Sequence, residues 1–346
     1  MARRLLWASL ALAPLTLLLD VVAPPGNVVL FVLSATSLVP LAWLIGEATE
    51  HAAEHTGPGV GGFLNASFGN APELIIALLA IADDLPNVVR GSLTGSIVSN
   101  ILLVLGIALF AAGEGRLDRP SLLAQLGLVV VAVLAFLVPA VPGFHGDPER
   151  HSLAVAGIPV SLVLLALYVA VTVANLRRHR RLHAASGEVA TGWSLPVAVG
   201  TLAVATTATA FVSEILVHSL DAFAEAAGLS QFFVSVVIVA IVGNAAEHGG
   251  AVVIARRGNV KLATEIAISS SAQVALLVAP AVALLSFVVT PALSLAFRPI
   301  ELAAMGASAV VVAITVYDGR SRRWEGALLM AVYLAFVGAF LAAGDR

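Results

Sequence analysis

A five-residue motif with one amide and one carboxyl side chain occurs twice in the chain. Its copies are Gly69-Asn70-Ala71-Pro72-Glu73 and Gly243-Asn244-Ala245-Ala246-Glu247. In each copy Asn and Glu are three residues apart, so they share one face of a helix. Two carboxylates and two amides supply the hard oxygen ligands that Ca²⁺ prefers, and carboxylates also bind protons. The residues predict a site that exchanges a divalent cation for protons.

The same spacing fits a helix N-terminal capping box, in which Asn caps and Glu returns three residues later. Pro72 agrees with that alternative, because proline is tolerated in a first helical turn. Asn244, however, lies between the apolar stretches 232–242 and 249–255. Irregular backbone deep in a membrane is tolerated only where it lines a cavity. We therefore expect each motif to mark a broken helix beside a functional site.

Charge makes the two acids interdependent. An ionised carboxylate at the centre of a bilayer costs about 3 kcal/mol or more, and two of them also repel each other. The pair is therefore expected to be either doubly protonated or neutralised by a cation. Two protons and one divalent cation carry the same charge, so the site has the same net charge in both states.

The composition places these motifs in a membrane. Of 346 residues, 60% are hydrophobic and 11% are charged, whereas soluble domains are about one quarter charged. The absence of cysteine excludes thiolate metal sites, and a net charge of −3 gives no support to a nucleic-acid partner. About eleven apolar runs are long enough to span a bilayer. Their approximate bounds are 5–23, 28–50, 60–82, 92–112, 121–141, 153–175, 194–217, 232–255, 262–288, 293–316 and 325–343.

The basic residues predict the orientation. With the N-terminus in the cytoplasm, 14 of the 18 Lys and Arg residues fall in cytoplasmic segments, as the positive-inside rule requires. Eleven spans then leave the C-terminus outside. We expect an all-α polytopic protein of the cell (inner) membrane, surrounded by the lipid bilayer.

A second pair of similar sequence segments indicates an internal duplication. Gly95–Asn100 matches Ile268–Gln273 at nearly the offset of the first motif pair. Five spans in each unit are an odd number, so the units must be inverted, as in transporters that work by alternating access. The predicted organisation is an N-terminal helix (1–26), a first repeat (27–176), a basic cytoplasmic linker (177–192) and a second repeat (193–346).

Further polar residues are predicted to line the same cavity or a proton or cation pathway. Close helix packing through small residues is the alternative for the serines, and ordinary packing is the alternative for the histidine. These candidates are Ser96, Ser99, Asn100, Ser269, Ser270, Gln273 and His248, with Glu47, Glu50 and Glu214 on the second and seventh spans.

One motif suggests an enzyme instead. His51-Ala52-Ala53-Glu54-His55 fits the H-x-x-E-H pattern of zinc peptidases. That interpretation leaves the duplicated motif unexplained, and the sequence has no G-x-S-x-G and no P-loop. A secondary transporter without a cofactor is therefore favoured over an intramembrane zinc peptidase.

The quoted motifs resemble the calcium/proton exchanger family of the cation/calcium exchanger superfamily. The stretches that carry the resemblance are 46–50, 64–73, 95–106, 242–248 and 267–276. The resemblance implies eleven helices in two inverted repeats, and export of cytosolic Ca²⁺ against proton entry. It assigns cation binding to Glu73 and Glu247, with Asn70 and Asn244 beside them. It leaves open sodium-coupled exchange, other divalent cations and a homo-oligomer. The chain departs from many relatives at Pro72, where they have Thr, and in its basic linker.

Overall fold

The computed structural model describes residues 2–182, 192–289 and 291–345, most of them helical. Two short strands, β1 (Gly115–Arg116) and β2 (Arg320–Ser321), pair in antiparallel fashion. The helices are α1 (Ala2–Ser9), α2 (Leu12–Val22), α3 (Asn27–Gly69), α4 (Ala71–Ala82), α5 (Pro86–Ala112), α6 (Arg119–Gly143), α7 (His151–Leu182), α8 (Leu195–Ala227), α9 (Gln231–Gly243), α10 (Ala245–Arg256), α11 (Val260–Val289), α12 (Pro299–Thr315) and α13 (Arg323–Ala343).

These helices supply the predicted membrane spans. Within the described ranges, eight segments are long and apolar enough to cross a bilayer, and α9 with α10 forms a further span bent by 59°. The shorter apolar helices α4 and α12 account for the remaining predicted runs. Exposed leucines and valines cover the outer surface of α6 and α13, whereas serines and asparagines are buried inside. An apolar outer surface with polar residues inside suits a protein surrounded by lipid. The helical structure confirms the all-α polytopic class.

The long helix α3 contains a sharp bend. A Cβ atom added at Gly61 would lie 2.9 Å from the carbonyl oxygen of Ala53. Eight residues of straight helix would separate these positions by about 12 Å. The chain therefore folds back between Ala53 and Gly61, where the sequence predicts the end of one apolar run and the start of the next.

Helices α3 and α8 lie side by side and run in opposite directions. The ring of Phe31, near the start of α3, stacks on that of Phe223, near the end of α8, with 4.2 Å between centroids. Farther along α3, the Nε2 atom of His55 lies 2.7 Å from the carbonyl oxygen of Trp193, which precedes α8. An antiparallel pair of this kind is what two inverted repeats require of equivalent helices.

The helix breaks at the two motifs have nearly the same backbone conformation. Asn70, between α3 and α4, has φ −101° and ψ 15°, and Asn244, between α9 and α10, has φ −92° and ψ 10°. The following spans share a second irregularity, a π-helical turn at Ser99–Val104 in α5 and at Val274–Val278 in α11. π-turns inside α-helices are frequent at functional sites.

A glycine allows α5 to approach α9 closely. A Cβ atom at Gly95 would lie 1.9 Å from the carbonyl oxygen of Val236 and 2.6 Å from the Cβ atom of Ala240. Only a residue without a side chain fits this contact. The two backbones therefore touch one turn before Ser99 in α5 and two turns before Asn244 in α9.

The segment between the predicted repeats differs in part from expectation. Helix α7 continues to Leu182, so the first residues of the predicted linker 177–192 are helical. Residues 183–191 lie outside the described part of the chain. Downstream, the chain is described again from Gly192, where it lies against His51 of α3.

Candidate functional site

Glu73 and Glu247 each lie in the first turn of a helix that follows a break, α4 and α10 respectively. Each acid faces the glycine of the opposite break. A Cβ atom at Gly243 would lie 3.5 Å from Cγ of Glu73, and one at Gly69 would lie 3.7 Å from Oε1 of Glu247. The sequence places the two acids 174 residues apart, and the fold brings them to one site.

The side chains of the two motif asparagines do not cap the helices that follow them. Asn70 and Asn244 occupy the N-cap positions, but neither side chain forms a cap hydrogen bond. Instead, Asn70 Nδ2 donates to Gln273 Oε1 of α11 (2.8 Å), and Asn100 Nδ2 of α5 donates to Asn244 Oδ1 (3.1 Å). The capping-box interpretation is therefore wrong for these side chains. Each asparagine joins its break to the π-turn span of the other half.

Asn100 is the centre of a buried polar network. Besides its bond to Asn244, it donates to Ser270 Oγ (2.9 Å), and its Oδ1 lies 2.9 Å from Nε2 of His248. The hydroxyl of Ser270 in turn donates to Glu247. His248 thus contacts the site through Asn100, and Glu247 is held by a serine of the next span.

The two acids have different surroundings. Glu247 is half-buried and accepts from Ser270, whereas Glu73 is only 8% exposed. Neither carboxyl oxygen of Glu73 has a hydrogen-bond partner among the described residues. A buried carboxyl group of this kind is stabilised by a proton, by a cation or by the helix N-terminus on which it lies.

The candidate serines divide into two groups. Ser96 Oγ accepts from Asn244 Nδ2 at 2.8 Å and so belongs to the network. Ser99 and Ser269 donate to carbonyl groups of their own helices, at 3.4 Å and 3.1 Å. Ser270, rather than its neighbour Ser269, reaches Glu247.

The acids of α3 and α8 do not join this network through any described hydrogen bond. Glu50 is exposed, and Oε1 of Glu47 lies 3.9 Å from Nε2 of His51. Glu214 lines a separate cavity of about 310 Å³ with Asp20 and other residues of α2, α3 and α8. Asp20 was not among the predicted residues, although it is the only charged residue between positions 5 and 23.

The H-x-x-E-H residues have other partners. His51 contacts Glu54 at 3.4 Å and packs on the ring of Trp193 with 4.9 Å between centroids. His55 faces the Trp193 carbonyl group. Across residues 2–182, 192–289 and 291–345, no three His, Asp or Glu side chains converge as metal ligands. The geometry does not favour a zinc peptidase.

Sequence and structure comparisons identify relatives over nearly the whole chain. The family model described as sodium/calcium exchanger protein matches residues 26–177 and 197–342. The Ca²⁺/H⁺ antiporter ChaA of Bacillus subtilis (strain 168) is 36% identical over 328 residues, covering 91% of this chain and 93% of the relative. The Ca²⁺/H⁺ antiporter of Aphanothece halophytica is 33% identical over 336 residues, covering 91% and 90%. The solved structure of native YfkE is 33% identical, with a TM-score of 0.83 over 97% of this chain and 99% of YfkE.

Proposed function

Because the chain belongs to the sodium/calcium exchanger protein family, we propose that it is a secondary active antiporter that exports cytosolic Ca²⁺ in exchange for protons. One structural observation carries the proposal: Glu73 and Glu247 lie on two broken helices, each against the glycine of the opposite break. Relatives that share a third of the sequence over nine tenths of the chain are Ca²⁺/H⁺ antiporters, so sodium coupling is not favoured. The protein is accordingly a transporter rather than an enzyme, with ions as cargo and no cofactor.

The proposed cation ligands are Glu73, Glu247, Asn70 and Asn244. Two carboxylates neutralise one divalent cation, and amide oxygens complete a hard-ligand set. In the absence of Ca²⁺, two protons neutralise the same acids, so Ca²⁺ and protons compete for one site. Asn100, Gln273, Ser96, Ser270 and His248 position these ligands through the hydrogen bonds described above. Ser99 and Ser269 pack within their own helices.

The acids of α3 and α8 suit opposite access routes. Because the two helices are antiparallel, Glu47 lies towards the end marked by Trp193, and Glu214 towards the end marked by Phe223. In our proposal Glu47 and Glu50 serve the cytoplasmic route and Glu214 the external one. Movement of α3 and α8 along the rest of the bundle alternates access between the routes.

We propose the predicted arrangement in the cell membrane as well. The N-terminus is cytoplasmic and the C-terminus external, with a first repeat over 27–176, a basic linker at 177–192 and an inverted second repeat over 193–346. The antiparallel α3 and α8 and the matching breaks at Asn70 and Asn244 support this division. Protease cleavage of tags at the two termini of the protein in intact inverted vesicles tests the orientation.

Flux measurements test the antiport. Purified protein in lipid vesicles should take up Ca²⁺ when a pH gradient is imposed, and should not respond to a Na⁺ gradient at clamped pH. The variants Glu73→Gln and Glu247→Gln keep the size of each side chain but remove the ionisable group. Each should reduce uptake at least about 100-fold, since the paired charge no longer balances Ca²⁺.

A matched control separates the site from general loss of charge. Glu114 is exposed in the connection between α5 and α6, so Glu114→Gln should transport like the wild type. Uptake that persists in both site variants, or that is lost equally in the control, would reject the proposed site. Uptake driven by Na⁺ rather than by pH would reject proton coupling alone.

A further inference from the structure

Four arginines gather around the β1–β2 strand pair, at one end of the helix bundle. Arg116 and Arg320 are on the strands, and Arg119 and Arg323 are the first residues of α6 and α13. All four side chains are exposed. A Cβ atom at Gly113, beside β1, would lie 3.2 Å from Nε of Arg323, which shows how closely the two connections meet. We call this surface the arginine plate.

The strand pairing forces two like charges together. Arg116 and Arg320 are direct cross-strand partners, so their side chains leave the same face of the strand pair. The other partners, Gly115 and Ser321, face the protein: a Cβ atom at Gly115 would lie 2.5 Å from Val260, and Ser321 is buried. Like charges directly opposite each other on a ladder are destabilising unless an anion lies between them.

Three acidic side chains near the plate pair with basic residues outside it, and a fourth, Glu114, is exposed directly before β1. Asp118 pairs with Lys261 at 2.8 Å, and Arg322 pairs with Asp318 and Glu325, each at 2.6 Å. Within the described part of the chain, no ion pair involves any arginine of the plate. The Arg119 guanidinium instead lies 4.1 Å from the ring centroid of Tyr317. The guanidinium groups of Arg116, Arg320 and Arg323 therefore remain available to an external anion, and Asp318 is bonded to the backbone of Arg320 rather than to its side chain.

Neighbouring aromatic residues indicate the depth of the plate. Tyr317 and Trp324 are 62% and 61% exposed at the ends of the apolar helices α12 and α13. Exposed Tyr and Trp at the ends of spans lie at the level of lipid headgroups. Arg119 and Arg323 begin their spans, so the plate lies at that level too. Arginine binds phosphate in bidentate geometry, which suits a headgroup phosphodiester.

From this placement we propose that the arginine plate is a binding site for the phosphate of an anionic phospholipid. The proposal goes beyond the transport function and does not depend on it. A phosphatidylglycerol headgroup between Arg116 and Arg320 offsets one of the two positive charges and bridges the pair, while the aromatic side chains contact its glycerol and acyl region. A zwitterionic lipid carries its own cationic group, so it gains much less binding free energy from the arginine plate.

A binding assay on the full chain tests this site without reference to transport. Protein in neutral detergent is titrated with short-chain brominated phosphatidylglycerol, and quenching of Trp324 fluorescence is followed, with Trp324→Phe as the blank. Each arginine near an anionic headgroup contributes about fivefold in affinity. The double variant Arg116→Gln/Arg320→Gln should therefore bind about 25-fold more weakly than the wild type.

Three controls make the result decisive. The same change at Arg150, which is half-buried in the connection between α6 and α7 and donates to the Pro142 carbonyl, should leave binding unchanged. Arg116→Lys/Arg320→Lys keeps the charge but loses the bidentate geometry, so its affinity should lie between those of the wild type and the Gln double variant, and the circular dichroism of all variants should match. Equal quenching by brominated phosphatidylcholine, or wild-type affinity in the Gln double variant, would overturn the proposal. Calorimetric binding of inorganic phosphate as tight as that of the lipid would identify a free-anion site and also overturn it.

Discussion

Asn100 and Gln273 occupy related positions but make different numbers of hydrogen bonds, which leads to a quantitative prediction. Asn100 bonds to Asn244, Ser270 and His248, whereas Gln273 has one described bond, to Asn70. Hydrogen bonds between helices in membranes contribute about 0.6 kcal/mol each on average. Asn100→Ala should therefore lower the free energy of unfolding by about 2 kcal/mol, and Gln273→Ala by about 0.6 kcal/mol.

Reversible unfolding in mixed micelles of neutral detergent and dodecyl sulfate measures both values. The comparison is conservative, because Gln loses one more methylene than Asn, and the resulting cavity works against the expected order. A loss in Gln273→Ala equal to or greater than that in Asn100→Ala would show that the network around Asn100 does not stabilise the fold as its geometry indicates.

Two further predictions concern packing and pH. Gly95→Ala should destabilise the protein by about 1–3 kcal/mol, because the added methyl group meets the backbone of α9. In Gly127→Ala on α6 the added methyl group meets nothing within 4 Å, so this variant should be more stable than the wild type by about 0.5–1 kcal/mol. Similar thermal unfolding midpoints for the two variants would contradict the packing argument. The backbone N–H of Arg320 and the guanidinium of Arg322 hold the pKa of Asp318 below its usual value. The stability from this group is present above about pH 4 and lost as pH falls through the lowered pKa. In Asp318→Asn, the hydrogen-exchange rate of the Arg320 backbone amide should lose this dependence on acidic pH. An unchanged pH profile of that rate would refute the role assigned to Asp318.

The sequence predicts the spans and the central acids because both follow from local rules. Apolar runs identify membrane segments, and an Asn and a Glu three residues apart must share a helix face. Because the motif is duplicated, Glu73 and Glu247 could be assigned to one site before any contact was known. The bend between Ala53 and Gly61 also follows from the end of one apolar run and the start of the next.

The partners of the acids were harder to predict, because they depend on the rotation of a neighbouring helix. Ser269 and Ser270 are adjacent, and a rotation of about 100° decides which of them faces Glu247. The offset between repeats is 174 residues for Ser96 and Ser270 but 173 for Asn100 and Gln273. π-turns in both spans change the number of residues per turn, so spacing alone did not identify Ser270 as the partner.

The crossed pairing of asparagines has a consequence for how the protein is assembled. Asn70 is held by a residue of the second half, and Asn244 by a residue of the first. A fragment ending at the linker therefore carries one acid and one partner of each amide pair but neither pairing, and completes the proposed ion site only by complementation with the other fragment. During synthesis the proposed site cannot form until the eleventh helix of the described chain, α11, has joined the bundle.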